Sequence, residues 1–225
     1  MAQDRGLFER LKQAALDDWS AYIDHAFVRG LGDGSLPEAS FRHYLAQDYL
    51  FLIHFARAYA LAVYKSRTLA DMRSAGRTMA ALLDMEMGLH VRLCARWGVS
   101  EADLEKTPEA SATMAYTRYV LEEGMRGDLL DLHVALVPCV IGYWEIGKAL
   151  AARPGALDPA NPYHEWIAEY SSPDYRQVAE EAADRLDRLA DGTLSEARFA
   201  DLTRIFRQAT RLEIDFWQMG LDLAR

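Results

Sequence analysis

The feature that most constrains this chain is a helical stripe: Leu132, Leu136, Cys139, Tyr143, Ile146 and Leu150 recur at intervals of three and four. Residues so spaced share one face of an α-helix, and a face this apolar predicts burial. Pro138 lies inside the stripe, where it cannot donate to the carbonyl four residues back, so a kink or loosened turn is expected beside Cys139. Cys139 and Tyr143 stand one turn apart. Such a pair suits a nucleophile with a hydrogen-bonding neighbour, and equally a buried thiol packed as a small hydrophobe against a core tyrosine.

The same periodicity recurs along the chain. Leu7, Leu11, Ala14, Ala15, Trp19, Tyr22 and Ile23 predict a first helix over residues 4–29, stopped by Gly30, Gly32 and Gly34. Ser35 and Glu38 read as a capping box with Pro37 in the first turn of a second helix, whose stripe is Phe41, Leu45, Asp48, Leu52, Phe55 and Tyr59. A third helix is expected over 69–97, with Met72, Met79, Met85 and Met87 as core filler. Ser100, lacking the usual Glu or Gln three residues on, opens a short helix without a full capping box, and another runs from Pro108 to Gly124–Gly127. Asp128 starts the central helix, which ends near Pro154–Gly155. Further helices span 163–170 and 172–190, and a last begins at Ser195 with the stripe Phe199, Leu202, Phe206, Ala209, Glu213, Phe216, Trp217 and Gly220. No segment alternates with period two, so the expected fold is all-α, with about eight helices around one core and one domain over residues 1–225.

Charge and cysteine content narrow the function. Thirty-four acidic against 25 basic residues give a net charge of −9, which disfavours nucleic acid and anionic membranes. The apolar run Val134–Trp144 is shorter than the roughly 20 residues that span a bilayer, and Ala2–Arg5 lacks a signal-peptide pattern, so a cytoplasmic protein is expected. Cys94 and Cys139 fall on separate helices with no CxxC spacing, which predicts free thiols.

Three helices far apart in sequence each put one reactive group where a core residue belongs: Asp48, Cys139 and Glu213. A carboxylate in an apolar stripe is either tied to an internal partner or faces a ligand. If the three converge, they form a thiol nucleophile flanked by two acids, able to hold a small polar heterocycle on which tyrosines stack.

Asp48 followed by Tyr49 and Phe51, Tyr116 in Ala-Tyr-Thr, Pro138-Cys139 with Tyr143 and Glu145-Ile146-Gly147, Asn161-Pro162 with Tyr170, and Glu213-Ile214-Asp215-Phe216-Trp217 occur in that order. Together they resemble the thiaminase II, or TenA-like, family. The resemblance implies a haem-oxygenase-like bundle, a homotetramer, no metal or organic cofactor, and hydrolysis at the methylene carbon on the pyrimidine of thiamin or aminomethylpyrimidine, yielding hydroxymethylpyrimidine. By the same resemblance Cys139 is the nucleophile, Asp48 binds the amino edge of the pyrimidine, Glu213 moves protons, and Tyr116, Tyr143 and Tyr170 line the pocket. Phe51 stands where many members have tyrosine, which keeps stacking and removes a hydroxyl. Glu145 belongs to the match without an assigned role.

Competing readings use other residues. Glu86 and His90, one turn apart, could join His54, His133, Asp131 or Glu145 in a di-metal site, although the pair is not repeated on a second helix. A single histidine could ligate haem, the bundle could house a cofactor-independent oxidase, or the pocket could bind thiamin fragments without catalysis.

Overall fold

The computed structural model describes residues 6–192 and 194–225, apart from the side chain of Met85. The expectations for Ala2–Arg5 and for Met85 as filler lie outside the described residues. The described secondary structure is helical, with no strand among it. It comprises α1 (Leu7–Ala14), α2 (Leu16–Ile23), α3 (Ala26–Asp33), α4 (Glu38–Lys65), α5 (Leu69–Ala81), a π-helical turn (Leu82–Glu86), α6 (Met87–Ala95), α7 (Glu101–Glu105), α8 (Ser111–Arg126), α9 (Leu129–Ala151), α10 (His164–Tyr170), α11 (Pro173–Ala190) and α12 (Glu196–Asp222).

Helix α9 is the axis, packed by α4, α8, α10, α11 and α12. Every residue from Leu130 to Tyr143 is buried, so α9 is enclosed on all sides instead of along one stripe. It is long and apolar enough to cross a membrane by length and composition, but 83% of its most apolar window is buried inside the protein, as in a core helix. The helix runs without a break through Pro138, and Asp128 caps it, accepting from the amides of Leu130 and Asp131 while the Asp131 carboxylate accepts from the Asp128 amide.

Several helix boundaries differ from the sequence expectation. The predicted first helix is three: it breaks at Ala15, before Asp17 and Asp18 in the first turn of α2, and at His25, whose ring Nδ1 caps α3 by accepting from the Phe27 amide. These breaks fold Trp19, Tyr22 and Phe27 inward, where Trp19 stacks on Phe206 and Phe27 on Trp217. No side chain caps α4, because its cap position is Pro37, which has no side-chain acceptor; the Ser35 amide instead donates to the Asp33 carboxylate at 2.9 Å. Ser100 and Asp103 do form a complete capping box, the shorter acid reaching the Ser100 amide at 3.1 Å. The third helix is interrupted by the π turn, which adds a residue and rotates everything beyond it. The stripe read through 69–97 is not buried throughout: Met72, before the turn, and Leu83, within it, are exposed, while Leu82, Met87 and His90 are buried.

Glycines permit two close approaches. A Cβ on Gly147 would lie 2.5 Å from the Tyr170 backbone, so its absence lets the end of α10 rest on α9; at Gly142 it would lie 2.3 Å from the Tyr22 ring. Tyr22 uses that space to donate to the Pro138 carbonyl at 3.3 Å.

Candidate functional site

The bundle brings Asp48 (α4), Cys139 (α9) and Glu213 (α12) together. All three are buried, and the Cys139 thiol feels the charges of Glu213, Glu86 and Asp48. Tyr116, from α8, donates to the Glu213 carboxyl at 2.8 Å. Asp48 has two partners of its own, the Tyr44 hydroxyl at 2.8 Å and His90 Nε2 at 2.6 Å. Of the sequence alternative for Asp48, the internal tie is what the structure shows, in the same cluster as Cys139 and Glu213.

Three contributors went unassigned in the sequence. Tyr44 lies one turn before Asp48 on the same face, a spacing visible in the sequence. His90 and Glu86 were visible only as a possible metal pair. The π turn instead directs His90 to Asp48, with its Nδ1 2.9 Å from the Glu86 carbonyl, and gives the Glu86 carboxylate to the Tyr170 hydroxyl at 2.9 Å. Both ring nitrogens of His90 are thereby occupied. Of the other residues of the metal alternative, His54 is engaged with Glu109 at 3.0 Å, Asp131 with Arg198 at 2.6 Å and Glu145 with Lys12 at 2.6 Å, while His133 packs on the Tyr59 ring and lines a cavity. No group of three or more His, Cys, Asp or Glu among the described residues is placed to hold a metal. Glu145 also accepts from Trp19 Nε1 at 3.0 Å, so its part is to fasten α1 and α2 to α9.

Aromatic rings enclose the reactive groups. Phe51 packs on Tyr116 at 4.8 Å between centroids and on Phe216 at 5.7 Å, a stacking position that needs no hydroxyl. Tyr143 packs on Tyr170 at 4.9 Å and on Trp217 at 5.4 Å. The Tyr143 hydroxyl accepts from the Tyr44 hydroxyl at 3.5 Å. Trp166 donates to the same Tyr44 hydroxyl at 3.2 Å, and the fully buried indole N–H of Trp217 has no partner among the described residues.

Burial sets the proton positions. It pushes the Cys139 thiol well above its ordinary range, reinforced by the charges of Glu213, Glu86 and Asp48. Glu213 is pushed up to about 8, first by burial and then by Asp48, against the opposing hydrogen bond from Tyr116. Glu86 rises to about 7 by burial and by the charge of Asp48. For His90 burial acts downward, but the hydrogen bond and charge of Asp48 outweigh it and the net shift is upward. Near neutral pH the site therefore holds a Cys139 thiol and a largely protonated Glu213, while the hydrogen bond to Asp48 favours the charged form of His90.

A cavity of about 360 Å³ lies between α5, α9 and α11. Tyr59, Glu86, His133, Tyr175 and Arg185 are among its lining, and it meets the buried cluster at Glu86. The arrangement provides a nucleophile, a proton carrier, an anionic anchor and flat rings, the set needed to add to a small heteroaromatic ring and return it.

Known proteins share this architecture. An aminopyrimidine aminohydrolase of Halalkalibacterium halodurans is 41% identical over 213 residues, which are 94% of this chain and 94% of that protein. The crystal structure of a TenA family transcription regulator from Silicibacter sp. TM1040 superposes with a TM-score of 0.91 at 45% identity, covering 98% of this chain and 99% of that one. A Shewanella denitrificans domain with a haem oxygenase-like fold superposes with a TM-score of 0.74 at 15% identity, over 96% and 92% of the two chains, a likeness of fold alone. The fold is thus haem-oxygenase-like, and with the family model matching residues 13–223, the chain belongs to the TENA/THI-4/PQQC family.

Proposed function

We propose that this protein is a hydrolase of the thiaminase II type, an aminopyrimidine aminohydrolase that converts aminomethylpyrimidine, and thiamin more slowly, to hydroxymethylpyrimidine for salvage of the pyrimidine. The observation that carries this reading is the burial of the Cys139 thiol in one cluster with two acids, Glu213 held by Tyr116 and Asp48 held by Tyr44 and His90.

In this mechanism Asp48, held by His90 and Tyr44, binds the amino edge of the ring, while Phe51, Tyr116, Tyr143 and Tyr170 line the faces and walls. Substrate arrives carrying positive charge into a site with three carboxyl groups. That charge lowers their mutual repulsion and favours the thiolate. The Cys139 sulfur adds to a ring carbon while Glu213 delivers a proton to a ring nitrogen and takes the thiol proton in exchange. Ring electrons then expel ammonia or thiazole from the methylene, with the pair of the broken C–N bond leaving on nitrogen. Water adds to the methylene, giving one proton to the site, and elimination of the sulfur restores the aromatic ring and the thiol. Protein groups supply every step, so no metal or organic cofactor is called for.

The chain is read as one catalytic unit, cytoplasmic, acting on small molecules and not on nucleic acid or membranes. A homotetramer is supported by the apolar surface at the ends of α4, α5 and α8, where Tyr64, Leu69 and Met125 are 85%, 60% and 66% exposed. Sedimentation checks that assembly.

The deciding experiment supplies aminomethylpyrimidine and thiamin at equal concentration and follows hydroxymethylpyrimidine. Cleavage of both, faster for the amine, is expected. Failure to turn over either, with pyrimidine still bound, would make the protein a non-catalytic binder of thiamin fragments.

A further inference from the structure

Glu86 is the acid beside the cluster that the mechanism above leaves without a task. It ends the π turn, and its carboxylate accepts from Tyr170, whose ring packs on Tyr143 one turn from the nucleophile. His90, one turn on, lies 2.9 Å from the Glu86 carbonyl through Nδ1 and 2.6 Å from Asp48 through Nε2, so Glu86 borders the same cluster, and its charge acts on the Cys139 thiol. Glu86 is also the residue at which that cluster meets the 360 Å³ cavity, and it is only half-buried, because part of its side chain lines that space. π turns of this kind are retained in helices mainly where they aim a side chain at a functional site.

The ring chemistry matches this placement. In the substrate class proposed above, the amino group and the aminomethyl group occupy adjacent ring carbons. If Asp48 holds the first, the second must lie beside Asp48, and Glu86 is coupled to Asp48 directly by charge. Resting on that reading, we infer that Glu86 is the receptor for the departing amine: its carboxylate holds the –CH2–NH3+ ammonium at the mouth of the cavity and selects amine-bearing pyrimidines over thiamin. The ammonium needs no further proton to leave. When the Cys139 sulfur has added to the ring, the C–N bond breaks with its electron pair passing to nitrogen, and neutral ammonia departs into the cavity. The nitrogen of thiamin at the same carbon is quaternary and has no N–H to offer Glu86, whereas Cys139, Glu213 and Asp48 serve both substrates alike.

The test is Glu86→Gln in the full chain, assayed on both substrates. Loss of a charged hydrogen bond to an ammonium is expected to lower kcat/KM for aminomethylpyrimidine roughly 10- to 100-fold, mainly through KM, and to change thiamin cleavage less than about threefold. Equal loss on both substrates, or no loss on the amine, overturns the assignment. A second measurement does not depend on that variant folding. In the non-turnover Cys139→Ser protein, aminomethylpyrimidine should bind at least about 10-fold tighter than hydroxymethylpyrimidine, which has the same ring and no charge, and equal affinities overturn the assignment. A wild-type protein that cleaves neither substrate refutes the proposed function itself. Wild-type turnover of both, with Glu86→Gln slowing both equally, refutes only the role of Glu86.

Discussion

His90 Nε2 and Asp48 Oδ2 lie 2.6 Å apart, linking α6 to α4 inside the protein. This contact fixes the acid proposed to anchor the pyrimidine, and its removal leaves Asp48 buried with the Tyr44 hydroxyl alone. Replacing His90 by Gln is expected to cost about 1–3 kcal/mol and to raise KM for the aminopyrimidine more than it lowers kcat. Because the folded-state pKa of His90 is raised, its stabilisation is complete below the unfolded value near 6.5 and is lost as pH rises through the higher folded value. Urea denaturation at several pH values should show wild type and His90→Gln converging toward alkaline pH. A constant gap would remove the charge from the account.

Glu213 makes a separate prediction about the empty protein. Its carboxyl, raised from 4.5 to about 8, keeps a proton in the folded state that the unfolded chain releases, so stability falls as pH rises across that window. Glu86, raised to about 7, adds to the fall with the same sign. Glu213→Gln cannot ionise and is expected to be more stable than wild type at pH 8 by about 1–3 kcal/mol, with a flatter profile. A wild-type protein that gains stability between pH 5 and 8 would contradict this.

Asp48→Asn and Glu213→Gln should fail differently in catalysis. The anchor's loss acts on binding, so Asp48→Asn is expected to raise KM and the Kd for hydroxymethylpyrimidine by about tenfold or more. Loss of the proton carrier acts on the chemical steps, so Glu213→Gln is expected to lower kcat about 100-fold with affinity nearly kept. Steady-state kinetics with product titration separates them.

Cys139→Ser is expected to lower turnover at least about 1,000-fold while leaving the fold and pyrimidine affinity in place, since the oxygen is a far weaker nucleophile in the same position. Cys94, buried on α6 with its thiol pushed up to about 11 by burial, should be replaceable by Ser without loss of rate. Equal losses in the two variants would point to folding and not to nucleophilic attack.

Glu145→Gln should leave kcat unchanged and cost about 1 kcal/mol, because it removes the charge paired with Lys12 at 2.6 Å on a partly exposed surface. A large fall in kcat would return Glu145 to the active site.

The helices, and the three reactive positions, were legible because both are local properties. A stripe at steps of three and four defines a buried face wherever the chain folds, so Asp48, Cys139 and Glu213 stood out as polar groups on faces that had to be covered. Caps such as Asp128 and Ser172 marked helix starts for the same reason, the groups they satisfy being two or three residues away. What only the tertiary structure decided is which buried polar group meets which. Glu145 finds Lys12 133 residues away, and no periodicity encodes that pairing. The Glu86–His90 pair was visible, but a single extra residue in the π turn changes the face that follows, and so changes the partner from a metal's neighbours to Asp48. Sequence patterns specify which surfaces must be buried; the partners of the polar groups buried with them are fixed by how distant helices pack, and the chemistry of this site resides in those partnerships.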